Sequence, residues 1–275
     1  MIPVLGTAQF GSSYGVTNFG KVFRVEEVND LLDLAMQSNV VWLDSSINYG
    51  NSESIINNFT KFRFNISTKV NFRDIRSRKL YSVENEIRIR LGNHRVINCF
   101  LHDWNELNID EKKSAFDFVK ERPLIKWGPS VYDPKDALEI IECFPDFDSI
   151  QLPSSILDQR FIKYFDVLRS KNIEIWQRSI LLQGLISDNV QKTFYVNHPD
   201  IVRLRSFCAQ GNFNPIHLAL SFARLTNPDY AIFGVSNDDQ LSEILSYFEQ
   251  PIESLDFNQF ASNDGNLIDP RKWKN

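Results

Sequence analysis

The feature that most restricts this chain is a repeated change of hydrophobic period. Eight short apolar, β-rich runs recur, at 3–9, 40–46, 64–70, 96–102, 124–131, 149–155, 173–179 and 230–236. Between them the pattern is helical. In 25–38, Val25, Val28, Leu31, Leu32 and Ala35 fall at three- and four-residue spacings, which line one face of a helix. The stretches 51–62, 76–92, 110–121, 134–144, 158–171 and 238–249 read the same way, and 187–226 has room for two or three helices. Asp133 ahead of Pro134 is a helix-start signal.

Strands alternating with helices call for a parallel sheet with helices on its outside. No composition break and no Pro/Gly/Ser linker divides the 275 residues, so 1–275 is expected to be one domain, an α/β single (β/α)8 TIM barrel. A doubly wound open sheet is the alternative. Against it, the first strand-to-helix turn, GTAQFGSSYGVTNFG, is long and does not spell GxGxxG.

Bulk properties narrow the function. The net charge of −5 disfavours a nucleic-acid binder, which normally shows a basic face. Cys99, Cys143 and Cys208 are scattered, form no metal-spaced cluster and are expected to be buried thiols in a reducing compartment. No stretch approaches the ~20 apolar residues of a membrane span, and MIPVLGTAQF does not read as a signal peptide. A cytoplasmic protein is expected, without metal, membrane or obligate protein partner.

Four ionisable residues stand at or just after the ends of three consecutive strands: Asp44 and Tyr49 in VVWLDSSINYG, Lys69 in FNISTKV and His102 in VINCFLHD. In a barrel that is where the site is built. A Tyr phenol, with a free pKa of ~10, stays protonated near neutrality and can donate a proton. A nearby cation such as Lys69, held by Asp44, would stabilise the phenolate left behind. His102 could orient or polarise a substrate oxygen. Singly, each has a plainer role: Asp44 a helix cap, Tyr49 a turn residue, Lys69 a surface charge, His102 a structural histidine. Jointly they fit proton delivery to a carbonyl during hydride transfer.

LDSSINYGNSE (43–53), TKV (68–70) and FLHD (100–103) resemble, in order, the signature segments of the aldo-keto reductase family in its bacterial type. KWGPSVYD (126–133), IQLPSSILDQR (150–160), QRSILLQGLI (177–186) and FGVSNDDQLSEIL (233–245) continue the resemblance over nearly the whole chain. It implies reduction of an aldehyde or ketone to an alcohol with NAD(P)H: Tyr49 as general acid, Lys69 and Asp44 as its tuning pair, His102 orienting the substrate. It further implies that Ser130 and Gln151 hold the nicotinamide carboxamide and that Arg178 lies against the ring, where many relatives carry an aromatic residue. Ser179, Leu181 and Gly184 would approach the pyrophosphate, and Gly234, Ser236 and Gln240 the adenosine end. Ser179 and Ser236 could equally be turn or capping serines. Gln151 sits on an apolar strand, so its amide needs a ligand or a buried partner.

NADP(H) is favoured by the resemblance and NAD(H) stays open, because GVSNDDQ offers Asp238 and Asp239 and no cation where relatives pair the 2′-phosphate. The loops after strands 4 and 7 read as brief, leaving an open pocket for a bulky polar substrate such as a sugar derivative. Phe10, Phe72, Trp104 and Tyr132 could wall it, with Arg73 near its rim. Two other functions stay in view: a cofactor-binding barrel with little turnover, and a non-redox sugar isomerase or lyase.

Overall fold

A computed structural model describes residues 1–18, 20–121, 123–187, 190, 191 and 193–273. The eight runs become eight strands, β1 (Ile2–Gly6), β2 (Trp42–Asp44), β3 (Asn65–Val70), β4 (Arg95–Leu101), β5 (Lys126–Pro129), β6 (Ser149–Pro153), β7 (Glu174–Arg178) and β8 (Tyr230–Phe233). They pair in parallel in the order β5-β4-β3-β2-β1-β8-β7-β6. The remaining seam between β5 and β6 carries a single bridge, Ser130 to Gln151, and the Val131 amide donates to the Gln151 carbonyl at 2.8 Å. Gly128 makes that close approach possible, since a Cβ there would collide with the Ser149 backbone oxygen. The sheet therefore curls into a nearly closed barrel, with helices between the strands.

The main helices are α1 (Val25–Gln37), α2 (Ser52–Asn58), α3 (Leu80–Leu91), α4 (Ile109–Val119), α5 (Pro134–Cys143), α6 (Phe165–Ser170), α7 (Pro199–Gly211), α8 (Pro215–Thr226) and α9 (Asp238–Glu249). In α1 the buried residues are Val28, Leu31, Leu32 and Ala35, the predicted stripe apart from the exposed Val25. Helix α5 begins with Pro134 at its first position, but the Asp133 side chain caps nothing. The start signal there is the proline's fixed φ and missing N–H.

Inside the barrel, Phe100, Trp176 and Tyr230 pack with Val4 and Ile232, the Trp176 and Tyr230 rings stacked 3.8 Å apart. These fill the barrel interior, and the cleft that holds Asp44 and Tyr49 opens at the strands' carboxyl ends. Three expectations need correction. Cys143, near the end of α5, is exposed, unlike Cys99 and Cys208. Phe10, Phe72 and Trp104 are fully buried behind the strands, against Phe23, Phe118 and the Phe144–Phe147 pair. Finally, the connection after β7 is long, running from Ser179 to α7, whereas that after β4 is short. No helix among the described residues is long and apolar enough to cross a membrane.

Candidate active site

The strand ends converge on one group of ionisable side chains. Asp44 closes β2, Lys69 is next to last in β3, and His102 directly follows β4. Tyr49 sits in the turn between β2 and α2. Lys69 Nζ donates to Asp44 Oδ2 at 2.6 Å and to the Ser45 carbonyl at 2.8 Å, with the lysine only 1% exposed. Two buried charges survive there because each is paired and otherwise hydrogen-bonded. Asp44 Oδ1 accepts from Ser67 Oγ at 2.7 Å and from Gln151 Nε2 at 2.9 Å. Gln151 Oε1 in turn accepts from Ser130 Oγ at 3.3 Å. The amide on the apolar strand thus has buried partners, and neither Gln151 nor Ser130 reaches the open cleft.

Lys69 Nζ lies 5.1 Å from the centre of the Tyr49 ring, on its face. Burial pushes the Tyr49 phenol well above its usual range, and the Asp44 charge and the Tyr132 phenol add to the rise. The group opposing it is the Arg178 guanidinium. Tyr49 is therefore a protonated phenol throughout the neutral range. His102 is pushed the other way, down to about 4, by burial first and then by Lys69 and Arg178, so its imidazole is neutral at pH 7.

A chain of amides fixes where that imidazole keeps its proton. Asn71 Nδ2 donates to Asp74 Oδ2 at 3.0 Å, which leaves Asn71 Oδ1 as an acceptor. Asn48 Nδ2 donates to Asn71 Oδ1 at 3.4 Å and to His102 Nδ1 at 3.1 Å. Nδ1 is then the acceptor nitrogen and Nε2 carries the hydrogen. Asn48 and Asn71 were missed in the sequence, because two loop asparagines have no distinctive spacing.

From Asp44 and Tyr49 a cleft runs outward between the loops after β7 and β8. Arg178, Ser179, Leu181, Gly184, Gly234, Ser236 and Gln240 all line it, as do Gln9, Tyr14, Gln183, Asn214 and Glu243, which sequence reasoning did not single out. Ser236 accepts from Gln9 Nε2 at 3.3 Å through its hydroxyl, and its amide donates to Gln240 Oε1 at 2.8 Å. Gly184 has φ +91, and a side chain there would strike Thr17, so a loop contact already requires glycine at that place.

The loop after β7 is held in an uncommon backbone shape: Ser179, Leu182 and Gln183 have φ of 63, 46 and 52. It is clasped to the loop after β1. The Val16 amide donates to Gln183 Oε1 at 3.2 Å, Thr17 Oγ1 to the Gln183 carbonyl at 3.1 Å, and Gln183 Nε2 to the Tyr14 hydroxyl at 3.2 Å. Of the proposed wall residues, Tyr132 packs against a residue that lines the cleft, with the Arg178 and Arg271 guanidinium carbons each 4.0 Å from its ring centre. Arg73 lies outside the cleft, paired with Glu106 and Glu111.

The sequence matches the Aldo/keto reductase family over residues 4–264. The chain belongs to the aldo/keto reductase family. No curated protein matches it. Among solved structures, it is similar to the holo form of aldo-keto reductase AKR11C1 from Bacillus halodurans (18% identity, 98% of this chain and 94% of that one, TM-score 0.75). It is also similar to the glycerol dehydrogenase AKR11B4 from Gluconobacter oxydans (16% identity, 91% and 87%, TM-score 0.66). At those identities the likeness is one of fold. Family membership supports an oxidoreductase, and members of the family use a nicotinamide cofactor and act on small carbonyl compounds.

The cleft suits such a cofactor. Gln9 Oε1 is buried in its wall without a hydrogen-bond partner, and a Cβ on Gly234 would come within 3.4 Å of that atom. An elongated groove ending at a proton donor, with an orphaned acceptor part-way along it, fits an extended polar ligand.

Proposed function

We propose that the protein reduces an aldehyde or ketone to an alcohol, with Tyr49 delivering the proton. The observation that carries this reading is a burial-raised phenol at the closed end of the cleft, beside the Lys69–Asp44 pair. The cofactor, when bound, supplies the hydride that reduces the carbonyl carbon and is itself oxidised. Tyr49 passes its proton to the carbonyl oxygen, which completes the alcohol. The phenolate left behind is answered by two cations, Lys69 over its ring and Arg178 across the cleft. His102 donates a hydrogen bond from Nε2 to the same oxygen and holds it toward Tyr49; as a neutral imidazole it does not compete as the acid.

Ser179, Leu181, Gly184, Gly234, Ser236 and Gln240 are assigned to the cofactor's length, with Arg178 at the junction between nicotinamide and substrate. Ser130 and Gln151 support Asp44 from behind, so contact with a carboxamide would require them to exchange bonds they already make. At the adenosine end, family resemblance favours NADPH while charge favours NADH. Asp238 and Asp239 open α9, and burial together with Asp30, Asp239 and Glu27 holds the Asp238 carboxyl above its usual range, with Lys21 the single opposing cation. That field repels a 2′-phosphate.

Tryptophan-fluorescence titration with NADPH and with NADH tests both points. Micromolar binding of either supports the cofactor site, and tighter NADH would show that the carboxylates outweigh family habit. Binding of neither, with no loss of 340 nm absorbance over a panel of aldehydes and keto-sugars, would remove the reductase reading.

A further inference from the structure

Arg178 brings an uncompensated positive charge to the reaction space. It ends β7, is half-buried and lines the cleft with Asp44 and Tyr49. One hydrogen bond leaves it, from Nη2 to the Val131 carbonyl at 2.9 Å, and one face lies on the Tyr132 ring. The neighbouring cations are each matched: Lys69 by Asp44, Arg160 by Asp158 at 2.8 Å, and Arg271 by both oxygens of Asp269 at 2.9 and 2.7 Å. Asp133, the remaining acid nearby, acts on Arg160 and Arg271. Among the described residues no carboxylate reaches Arg178 within ion-pair distance. Its remaining N–H groups are not buried, and the residue lines the cleft.

We propose that Arg178 receives an anionic group, a carboxylate or a phosphate, carried by the carbonyl substrate. The substrates are then oxo-acids or phosphorylated carbonyl compounds rather than neutral aldehydes. A guanidinium offers parallel N–H groups that match two oxygens of such an anion, and the bond is charge-assisted. A half-buried cation without a counter-ion is costly, and an anion arriving there recovers that cost. Arg178 lines the same cleft as Tyr49, so one substrate can carry the anion and the reacting carbonyl together. This inference rests on the reductase reading. The rival source of anionic oxygens is the cofactor's own pyrophosphate, for which the loop after β7 and Gly234 lie farther out along the cleft.

The test compares charged and neutral partners of similar skeleton: 4-oxobutanoate against butanal, and glyceraldehyde 3-phosphate against glyceraldehyde. The wild type should favour the charged member of at least one pair by about tenfold or more in kcat/KM, mainly through KM and less so at high salt. Arg178→Gln should bring that ratio close to one, and Arg178→Lys should keep part of it. Calorimetry supplies a readout without turnover: 4-hydroxybutanoate should bind the wild type more tightly than butan-1-ol does, and Arg178→Gln should lose the difference. Cofactor binding with no preference for either charged member overturns this inference alone. So does an Arg178→Gln variant whose loss falls on NADH or NADPH affinity and leaves the ratio intact, which would give Arg178 to the pyrophosphate. Failure to bind either cofactor or reduce any of the four compounds overturns the reductase reading, and this inference with it.

Discussion

The two ends of the cleft are built on opposite terms. At the inner end Asp44 and Lys69 are buried and matched: the carboxylate has Lys69, Ser67 and Gln151, and Lys69 also has the Ser45 carbonyl. At the outer end the loops after β1, β7 and β8 hold each other through single bonds near 3.2 Å, leave Gln9 Oε1 without a partner and keep several residues at positive φ. The inner end has one arrangement and is part of the barrel. The outer end holds strain and unused hydrogen-bonding capacity, which is what a region that must accept a ligand needs. Disturbance at the inner end should therefore cost folding and chemistry, and disturbance at the outer end should cost binding.

The largest effect belongs to the inner end. Tyr49→Phe deletes one oxygen at a half-buried turn position, so folding and cofactor affinity should hold while turnover falls by about 10²–10⁴. Steady-state assays beside the fluorescence titration check this, and near-normal turnover would sink the role given to Tyr49. Lys69→Met should act on stability as well. It leaves Asp44 charged and buried with only neutral donors, which costs about 3–5 kcal/mol in a urea melt. A loss under about 1 kcal/mol would mean that water or a neighbour replaces the ammonium, and the contrast between the two ends would weaken.

Acid should separate the ends next. Folding lowers the His102 pKa from its ordinary value near 6.5 to about 4, and burial lowers that of His94 too. The unfolded chain therefore takes up more protons between those values, so stability present above pH ~6.5 is lost as pH falls toward 4. In His102→Gln the midpoint of acid unfolding should move lower and the slope in that window should flatten. Equal slopes for variant and wild type would show that His102 is not desolvated as described.

The same contrast explains what could be read from the sequence. All eight strands were legible, because apolar runs and helical periodicity come from burial, which residue type records directly. The Asp44, Tyr49, Lys69 and His102 group was legible because a barrel fixes strand ends in space. The aromatic walls were not: Phe72 and Trp104 follow strand ends but turn outward under the helices, and nothing in local sequence distinguishes the two directions. The length of the loop after β7 was hidden by its apolar residues, Leu182, Leu185 and Ile186, which look helical but build a second core with α7 and α8. The pairing of Asn48 with His102 spans 54 residues and depends on how two loops meet, so no spacing announces it.

The smallest expected effect is at the outer end, and it discriminates best. Gln183→Ala removes the two side-chain hydrogen bonds of the clasp, from the Val16 amide and to the Tyr14 hydroxyl, neither deeply buried, and keeps the one from Thr17 to the Gln183 backbone carbonyl. Global stability should drop by no more than about 1 kcal/mol, since exposed hydrogen bonds contribute little net. The loop should nonetheless open more often, which raises both association and dissociation rates of the nicotinamide cofactor while its equilibrium affinity changes little. Stopped-flow fluorescence reads the two rates separately. Faster exchange with an unchanged urea midpoint would show that the outer loops are a gate that the barrel tolerates losing. A shifted midpoint with unchanged rates would instead make the clasp part of the folded core, and the two ends of the cleft would be built alike.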